Sequence, residues 1–277
     1  MSGIRDLLKG KLTQKELSII PSSYDVVGSI LIFSDFPKEL VKKEKIIGET
    51  LLRLHKNIRT IAKKTRKYSG KYRLPKLKII AGEKTKETIH KENNSRLKLD
   101  VEKVYFSSRL STERKRIFSQ VRKNEVILVM FSGMGVYPIT IARNSWAKEI
   151  YGIEINPAAH RYAQENLKLN KITDRVKLYL GDVKKILPKI SKKFDRIIMP
   201  LPKGAENYLG LALNKTRNKG IMHFYTFSEE DKYEPIKKTI KKECLKQKKR
   251  YKILKIAKCG QFSPRVNRIC VDFRVFW

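Results

Sequence analysis

The stretch that decides the fold runs from Glu125 to Gly135 and reads EVILVMFSGMG. An uninterrupted apolar run of this kind is typical of a strand buried on both faces of a parallel sheet. Gly133 and Gly135 follow the run directly, where glycines let the chain turn tightly and approach a bound cofactor. A dinucleotide-dehydrogenase motif has a third glycine at the position that Pro138 occupies here. The stretch predicts a cofactor-binding loop but does not by itself identify the cofactor.

Strand-like and helical patterns alternate from Arg109 onward. The apolar runs are EVILVMF, EIYGIEI, RVKLYLGD, FDRIIMPLP and KGIMHFYTF, with helical stretches such as AAHRYAQENLKLN between them. This alternation predicts an α/β domain with a parallel sheet covered on both faces. The last two runs, YKILKIAKCG and NRICVDFRVFW, have no helix between them and predict an antiparallel hairpin. A parallel sheet with an antiparallel last strand indicates a class I, Rossmann-like methyltransferase domain rather than a dinucleotide dehydrogenase.

Two carboxylates follow the next strands in the order that such a cofactor site needs. Glu154 ends the second strand, 19 residues beyond Gly135, where a carboxylate can hold both ribose hydroxyls. Asp182 ends the third strand, where it or the neighbouring amide can meet an adenine amino group. Each acid alone is better explained as a solvated strand end, but the ordered set favours S-adenosylmethionine, whose sulfonium attracts acidic groups. The expected cofactor residues are Phe131, Ser132, Gly133, Gly135, Glu154, Asp182 and Pro200.

The fourth strand ends in Met199-Pro-Leu-Pro202. In the predicted fold this strand end faces the methyl group and its acceptor. Two prolines fix the backbone, so that carbonyl oxygens can be held toward an acceptor base. The alternative is an ordinary turn between a strand and a helix.

The part of the chain before Arg109 has a different pattern. YDVVGSILIFS predicts a strand broken at Gly28, and KELVKKEKIIGETLLRLHKNIRTIAKK predicts an amphipathic helix. Four short strand-like runs follow, KLKIIAG, TKETIHKEN, SRLKLD and VEKVYFS. The predicted organisation is a short N-terminal segment (residues 1–20), an α+β RNA-recognition domain (residues 21–108) and the methyltransferase domain (residues 109–277).

The composition indicates a polyanionic partner. Among 277 residues, 63 Lys and Arg face 27 Asp and Glu, which gives a net charge of +36. Residues 38–78 hold 15 basic and 3 acidic residues, and residues 237–258 hold 11 basic residues and one acid. Such clusters usually neutralise phosphates, although a solvated lysine face would have the same composition. No apolar run approaches the ~20 residues of a membrane span, so we expect no membrane association.

The cysteines and histidines do not have the spacing of a metal site. Three cysteines near one end form no C-x-x-C pair, and the four histidines are not clustered. We therefore expect no metal, and reduced, buried thiols of a cytoplasmic protein.

Short motifs along nearly the whole chain resemble one known family. They are Tyr72-Arg73, Ile89-His-Lys-Glu-Asn93, Val104-Tyr-Phe-Ser-Ser-Arg109, Glu113-Arg-Lys-Arg116, Phe131-Ser-Gly-Met-Gly135, Glu154-Ile-Asn-Pro157, Met199-Pro-Leu-Pro202 and Ser263-Pro-Arg265. The chain resembles the archaeal and eukaryotic type of tRNA guanine-37 N1-methyltransferase. The resemblance implies tRNA as the partner and S-adenosylmethionine as the cofactor, and we expect a monomer.

The resemblance also implies roles for individual residues. Glu113 matches the general base that removes the guanine N1 proton, and Arg73 matches the arginine that steadies O6. Tyr105 matches a tyrosine that lines the site. Arg109, Pro202 and Arg265 are the expected substrate contacts. Without the resemblance, Glu113 would be a helix-face partner of Arg116 or Arg109, and Arg73 a phosphate contact.

Three features depart from the family pattern. Only about 20 residues precede the α+β module, so we expect the small tRNA-elbow domain of longer relatives to be absent. Val129 replaces the acid that opens the first motif, and Pro200 replaces the asparagine of Asn-Leu-Pro. A proline there resembles the archaeal subgroup that also methylates C7 of 4-demethylwyosine. The other hypotheses are a methyltransferase for another RNA base or a protein amide, and a non-catalytic RNA-binding protein.

Overall fold

The structure is a computed structural model that describes residues 4–277, except for the side chain of Lys67. The chain folds into two compact units. The first unit ends at Ser108, and the second begins at Arg109 and also includes residues 93–95. Within the described residues, no helix is long and apolar enough to cross a membrane.

The first unit is built on a four-stranded sheet in the order β1-β2-β3-β4. β2 and β3 pair in parallel, while the two outer pairs are antiparallel. A hairpin follows, and the N-terminal helices pack into the same core through Leu8 and Leu17. The elements are α1 (Ile4–Leu8), α2 (Gln14–Ser18), β1 (Asp25–Val27), β2 (Ile30–Phe33), α3 (Glu44–Leu54), β3 (Thr60–Ser69), β4 (Leu74–Gly82), β5 (Glu87–Glu92) and β6 (Ser95–Asp100).

The long basic helix predicted from Lys38 to Lys64 is wrong in its extent. A 3₁₀ turn covers Lys38–Lys43, α3 ends at Leu54, and Thr60 already belongs to β3. The helical spacing of apolar residues continues beyond Leu54 by coincidence, because Ile61 is buried in a strand that pairs with both β2 and β4. Tertiary pairing therefore overrides the local helical pattern.

The strand predicted for VEKVYFS is also absent from residues 101–107. The chain turns there instead, because the Asp100 carboxylate accepts from the Glu102 amide at 2.9 Å and the Asp100 carbonyl accepts from the Val104 amide at 3.1 Å. Asp100 thus ends β6 and starts a turn.

The second unit is a seven-stranded sheet in the order β12-β13-β11-β10-β7-β8-β9. The five strands β7 to β11 are parallel to one another. β13 lies between β11 and β12 and is antiparallel to both. This is the Rossmann-like methyltransferase topology that the sequence predicts, and the prediction is confirmed. The elements are α4 (Ser111–Phe118), β7 (Val126–Met130), α5 (Val136–Asn144), β8 (Glu149–Glu154), α6 (Pro157–Leu169), β9 (Val176–Leu180), α7 (Val183–Ile186), β10 (Phe194–Met199), α8 (Leu209–Lys215), β11 (Thr216–Glu229), α9 (Glu234–Lys246), β12 (Arg250–Ser263) and β13 (Val266–Phe276).

The strand order reverses between β7 and β10, so that the chain leaves these neighbouring strands in opposite directions. All five residues of β7 are buried, which explains its unbroken apolar run. In open α/β sheets, ligands bind beyond the carboxyl ends of the strands at such a reversal. We call the side of the sheet where the parallel strands end the carboxyl edge. The fold therefore places the candidate site at the carboxyl edge of β7 and β10.

Candidate active site

The loop between β7 and α5 is held in a left-handed backbone conformation. Phe131 and Gly133 both have φ of +58°, which is uncommon for a residue with a side chain. The Gly133 amide donates to Glu154 Oε2 at 2.7 Å, so the loop is fastened to the end of β8. A strained aromatic residue at a strand end is typical of a functional site.

Glu154 has the environment that a ribose-binding carboxylate needs. It is 8% exposed, and its second oxygen accepts from the Asn156 amide at 2.7 Å. Burial raises the pKa of Glu154, although the backbone hydrogen bonds lower it in part. A carboxylate offers about four acceptor positions, so capacity remains for hydroxyl donors. The remaining acceptor positions fit the two hydroxyls of a ribose, and so Glu154 could hold S-adenosylmethionine there.

Start signals of the following helices explain the neighbouring motif residues. Asn156 caps α6 by accepting from the Ala158 amide at 3.0 Å, and Pro157 occupies the first helical turn. Gly135 caps α5 with φ of +85°, and a Cβ there would lie 3.2 Å from Ala163 Cβ. Gly135 thus lets α5 approach α6 closely at the loop.

Three side chains gather beside the loop on the β9 side. Asp182 caps α7 by accepting from the Lys184 amide at 2.8 Å. Tyr208 packs edge-on against Phe131, with 4.9 Å between ring centroids. Burial and the nearby Asp182 charge raise the pKa of Tyr208. An aromatic wall beside a carboxylate suits an adenine ring. Sequence reasoning identified Phe131 and Asp182 but missed Tyr208, which lies in a later, partly helical segment.

The Ser132 side chain lies next to Gly152 in β8. It is 3% exposed, and a Cβ on Gly152 would lie 3.0 Å from its Oγ. Among the described residues the Ser132 hydroxyl has no hydrogen-bond partner. The Ser132 amide donates to the Ile153 carbonyl at 2.9 Å, and the Ser132 carbonyl accepts from the Gly135 amide at 3.0 Å, so this residue holds the loop in shape. A direct contact of Ser132 with the cofactor stays a prediction.

The end of β10 is a tight turn centred on Pro200. The Leu201 amide donates to the Met199 carbonyl at 2.8 Å, a three-residue turn that suits the fixed φ of proline. Pro200 and Pro202 are half-buried. The carbonyls of this segment are therefore held rigidly at the carboxyl edge, next to β7.

Glu113, the predicted base, is buried in the first turn of α4. Arg116 donates to both of its oxygens, at 2.7 and 2.8 Å, and the Tyr225 hydroxyl donates to Oε1 at 2.5 Å. The pairing of Glu113 with Arg116 is therefore present in the structure. The Cys259 thiol also contacts this carboxylate, so its acceptor positions are largely filled, and its role as a base stays a prediction.

Arg116 in α4 begins a series of buried polar side chains that continues through β13, β11 and β10 to the residue before β7. Arg116 also pairs with Asp272 in β13, and Asp272 Oδ1 lies 2.7 Å from Nδ1 of His223 in β11. His223 Nε2 lies 2.6 Å from Nη1 of Arg196 in β10, and Arg196 pairs with Glu125 at 2.7 Å. We call these groups, together with Glu113 and Tyr225, the buried polar chain.

The donors fix the charge state of His223. Since a guanidinium only donates, Nε2 must accept from Arg196, and Nδ1–H therefore donates to Asp272. His223 is thus neutral, in agreement with its pKa, which burial lowers. A sequence signal for this chain existed in Arg196, an arginine inside an otherwise apolar strand, but its partners could not be identified from the sequence.

His223, Cys270 and Asp272 bring three possible ligand atoms within 4.8 Å of one another. Both ring nitrogens of His223 are used in hydrogen bonds, and two guanidinium groups adjoin the cluster. This arrangement opposes a metal cation. The three cysteines are buried and free, and burial raises the pKa of Cys244 to about 11.

The remaining predicted residues lie at other places. Arg73 has φ of +52° in the turn between β3 and β4, and Tyr105 packs edge-on against Tyr68 at 5.2 Å; both belong to the first unit. Arg109 starts the second unit, and Arg265 is exposed in the turn between β12 and β13. The roles that the resemblance implies for these residues stay predictions.

Family models match both parts of the chain. Residues 88–254 match the TRM5/TYW2 methyltransferase domain, and residues 4–85 match the TYW2 N-terminal domain. The tRNA (guanine(37)-N(1))-methyltransferase Trm5b of Pyrococcus abyssi is 40% identical over 257 residues, which cover 92% of this chain and 76% of the relative. The tRNA (guanine(37)-N(1))/4-demethylwyosine(37)-methyltransferase Taw22 of Nanoarchaeum equitans is 35% identical, covering 76% of this chain and 86% of the relative.

Solved structures have the same fold. The complex of aTrm5 with tRNALeu has a TM-score of 0.85 at 32% identity and covers 99% of this chain and 78% of that chain. The structure of Methanocaldococcus jannaschii TYW2 in complex with AdoMet has a TM-score of 0.69 at 27% identity and covers 92% of this chain and 99% of that chain.

Proposed function

Because the chain belongs to the TRM5/TYW2 methyltransferase family, we propose that it methylates N1 of guanine 37 in tRNA with S-adenosylmethionine as the methyl donor. The observation that carries the proposal is the loop after β7, where the Gly133 amide and the buried Glu154 carboxylate meet. The residues that would hold the cofactor are Phe131, Gly133, Gly135, Glu154, Asp182 and Tyr208. When bound, S-adenosylmethionine supplies an electrophilic methyl group on a sulfonium.

The protein's own part of the chemistry is to manage a proton. Guanine N1 carries a proton, so nitrogen becomes nucleophilic only as that proton leaves. Glu113 accepts it, and the Tyr225 hydroxyl and the Arg116 guanidinium keep the carboxylate in place. Arg116 forms ion pairs with both Glu113 and Asp272, so its single positive charge does not fully neutralise Glu113. The turn at Pro200 presents rigid carbonyls to the acceptor.

The test is methyl transfer to unmodified tRNA that carries guanine 37. Labelled S-adenosylmethionine should place one methyl on that base, identified as N1-methylguanosine by nucleoside mass spectrometry. The matched control is the same tRNA with adenine in place of guanine at position 37, and it should accept no methyl. Methylation of both RNAs, or of neither, would reject the assignment.

We also predict that Arg73→Ala lowers turnover more than it lowers tRNA affinity.

A second activity, methylation of C7 of 4-demethylwyosine, is favoured by Pro200. A proline side chain offers no hydrogen bond to the edge of guanine, whereas the asparagine of the family motif could. Without that hydrogen bond, the pocket leaves room for a third ring. The Nanoarchaeum relative carries both activities in its name. Pro200→Asn should depress carbon methylation more than N1 methylation. If tRNA with 4-demethylwyosine gains no methyl from the wild-type enzyme, the second activity is rejected.

The proposal includes a monomeric enzyme in the cytoplasm that needs no metal. Sedimentation of the protein with and without tRNA tests the first point, because a monomer gives a mass near 32.4 kDa. Activity that persists after treatment with a chelator tests the last.

A further inference from the structure

A pair of aromatic rings, one exposed and one half-buried, lies at the carboxyl edge of the seven-stranded sheet. Phe227 is near the end of β11 and Phe262 near the end of β12, and their ring centroids are 4.2 Å apart at a tilt of 35°. Phe262 is 61% exposed. We call these two rings the aromatic shelf. A large apolar ring held in water at a site edge indicates a binding role.

The shelf lines one cavity together with the segment that follows β10. Pro202, Lys203 and Gly204 line this cavity, as do Phe227 and Phe262. In the sheet, β10 separates the cofactor half, β7 to β9, from the shelf half, β11 to β13. A group on the shelf would therefore lie beside the acceptor position, on the side away from Glu154.

Both cations and acids lie near the shelf; Glu206 lines the same cavity, and the Glu230 amide donates to the Arg265 carbonyl at 2.9 Å. Lys203 is exposed at the cavity, Arg265 is exposed in the adjoining turn, and the Arg268 guanidinium lies 5.8 Å from the centroid of Phe227. A flat apolar face bordered by cations matches a nucleobase and its phosphates, since bases stack on rings while phosphates pair with Lys and Arg. An uncharged apolar ligand would have no use for these cations.

We propose that the aromatic shelf binds an unpaired nucleobase of the RNA that flanks the methyl-accepting base. This rests on the proposed function, because an enzyme that acts on a base must first take that base out of its stack. The departure leaves the neighbouring base without a partner on one face. The shelf supplies a replacement face at the place where that neighbour would lie.

A double-mutant cycle between protein and RNA tests the proposal. The RNA is an anticodon stem-loop with guanine at the target position, and two further versions carry an abasic residue on its 5′ or its 3′ side. Phe262→Ala should weaken binding of the intact stem-loop about tenfold, and Phe262→Trp should restore it. With the abasic residue on the shelf side, Phe262→Ala should cause no further loss.

Trp146→Ala is the matched control, because Trp146 is 78% exposed in the second unit but precedes β8, at the opposite edge of the sheet. It should leave RNA affinity unchanged. Fully additive losses at both flanking positions, or equal affinity of wild type and Phe262→Ala, would overturn the proposal; the latter outcome would point to a protein partner for the shelf.

Methylation of the intact stem-loop by the wild-type enzyme is measured in the same samples. Its failure would reject the proposed function, whereas the binding cycle reports on the shelf alone. The two failures are therefore distinguishable.

Discussion

Burial and hydrogen bonding act in opposite directions on Glu154. Burial raises its pKa, while the amides of Gly133 and Asn156 stabilise the ionised form. The net rise means that the folded protein binds this proton more tightly than the unfolded chain does. The ionised carboxylate therefore costs stability at neutral pH, a cost that falls as the pH drops through the raised pKa. Retaining a destabilising acid is typical of a functional position.

We predict that Glu154→Ala weakens binding of S-adenosylmethionine by about 1.5–3 kcal/mol, the usual effect of losing a charged hydrogen bond. Since the pKa is raised above 4.5, wild-type affinity should also decline on acidification before that pH is reached. Calorimetry between pH 8 and pH 5 measures both effects. Glu154→Gln is the control, because it lacks the carboxylate and keeps only the pH dependence of other groups, such as the amino group of the ligand. An unchanged dissociation constant in Glu154→Ala would remove Glu154 from the site.

The proposed role of Glu113 as the base can also be tested by a single substitution. Glu113→Gln keeps the size of the side chain but removes the base, so we expect single-turnover methylation to fall about 100-fold or more. Affinity for S-adenosylmethionine should hold. Glu149→Gln is a matched control, because Glu149 is also ion-paired, with a pKa lowered to about 2 by Lys192 and Tyr151, but starts β8 at the opposite edge. Wild-type rates in Glu113→Gln would show that the base is another group.

At the scale of elements, the buried polar chain joins parts that are distant in sequence. It passes from α4 to β13, β11 and β10 and ends at Glu125 before β7, in the spatial order of the sheet. The chain therefore fixes α4, and with it Glu113, against the strands on which we propose the acceptor site. Arg196 is 0% exposed, so each missing partner would leave a buried charge uncompensated.

Asp272→Asn should lower the free energy of unfolding by about 3–5 kcal/mol at neutral pH, because it removes the charge that pairs with Arg116 and places an NH2 donor against the donor of Arg116 or of His223. His223 and Arg116 hold the pKa of Asp272 well below its ordinary value of 3.8. The stabilisation is therefore present above that pH and is lost as the pH falls through the lowered pKa.

Urea denaturation of the wild type and Asp272→Asn at several pH values measures this effect. The two stabilities should converge at acid pH. Glu229→Gln, which removes a carboxylate from an exposed pair with Lys232, is the control and should change little. A gap between wild type and Asp272→Asn that does not narrow with acidification would contradict the assignment of the ionised pair.

Part of the basic stretch at residues 237–258 lies on β12, the edge strand of the sheet. β12 pairs with β13 on one side and lies at the end of the sheet order. Lys252, Lys255 and Lys258 are exposed on it, and lysines on an edge strand prevent pairing with other chains. We therefore expect the phosphate contacts predicted for this stretch mainly on α9.

For the whole molecule, the charge of +36 should make tRNA binding strongly dependent on salt. Log affinity should fall linearly with log salt, by about 0.7 per phosphate contact on single-stranded RNA. Exchanging Lys238, Lys241 and Lys242, all exposed on α9, for Gln should reduce this slope by up to about two. Fluorescence titration between 50 and 300 mM potassium chloride, roughly the range over which such contacts are screened, measures it.

An equal exchange of Arg161, Lys168 and Lys171, which are exposed on and just after α6, is the charge-matched control. It should lower the slope less, because α6 packs against β8 and β9 in the other half of the sheet. Equal slopes for the two triple variants would mean that net charge, rather than the surface of α9, determines the affinity.

The sequence alone determined the sheet of the second unit and the order of its cofactor motifs. These follow from local signals, since buried strands appear as apolar runs, Asn156-Pro157 starts a helix, and glycines lie where the loop has positive φ. The topology that ends in an antiparallel strand is confirmed for the same reason. The family motifs also identified Glu113 in advance, although its role as the base stays a prediction.

Only the tertiary structure decided the partners of the buried charges and the end of the basic helix. Asp272 and Arg116 are 156 residues apart in sequence, and no local pattern links them. At Thr60 the chain becomes a strand because β2 and β4 offer hydrogen bonds on both sides, an interaction that periodicity does not report. The aromatic shelf depends likewise on the pairing of β11, β13 and β12, which brings Phe227 and Phe262 together. Contacts between distant segments are set by packing of the whole sheet, and so they lie beyond what neighbouring residues encode.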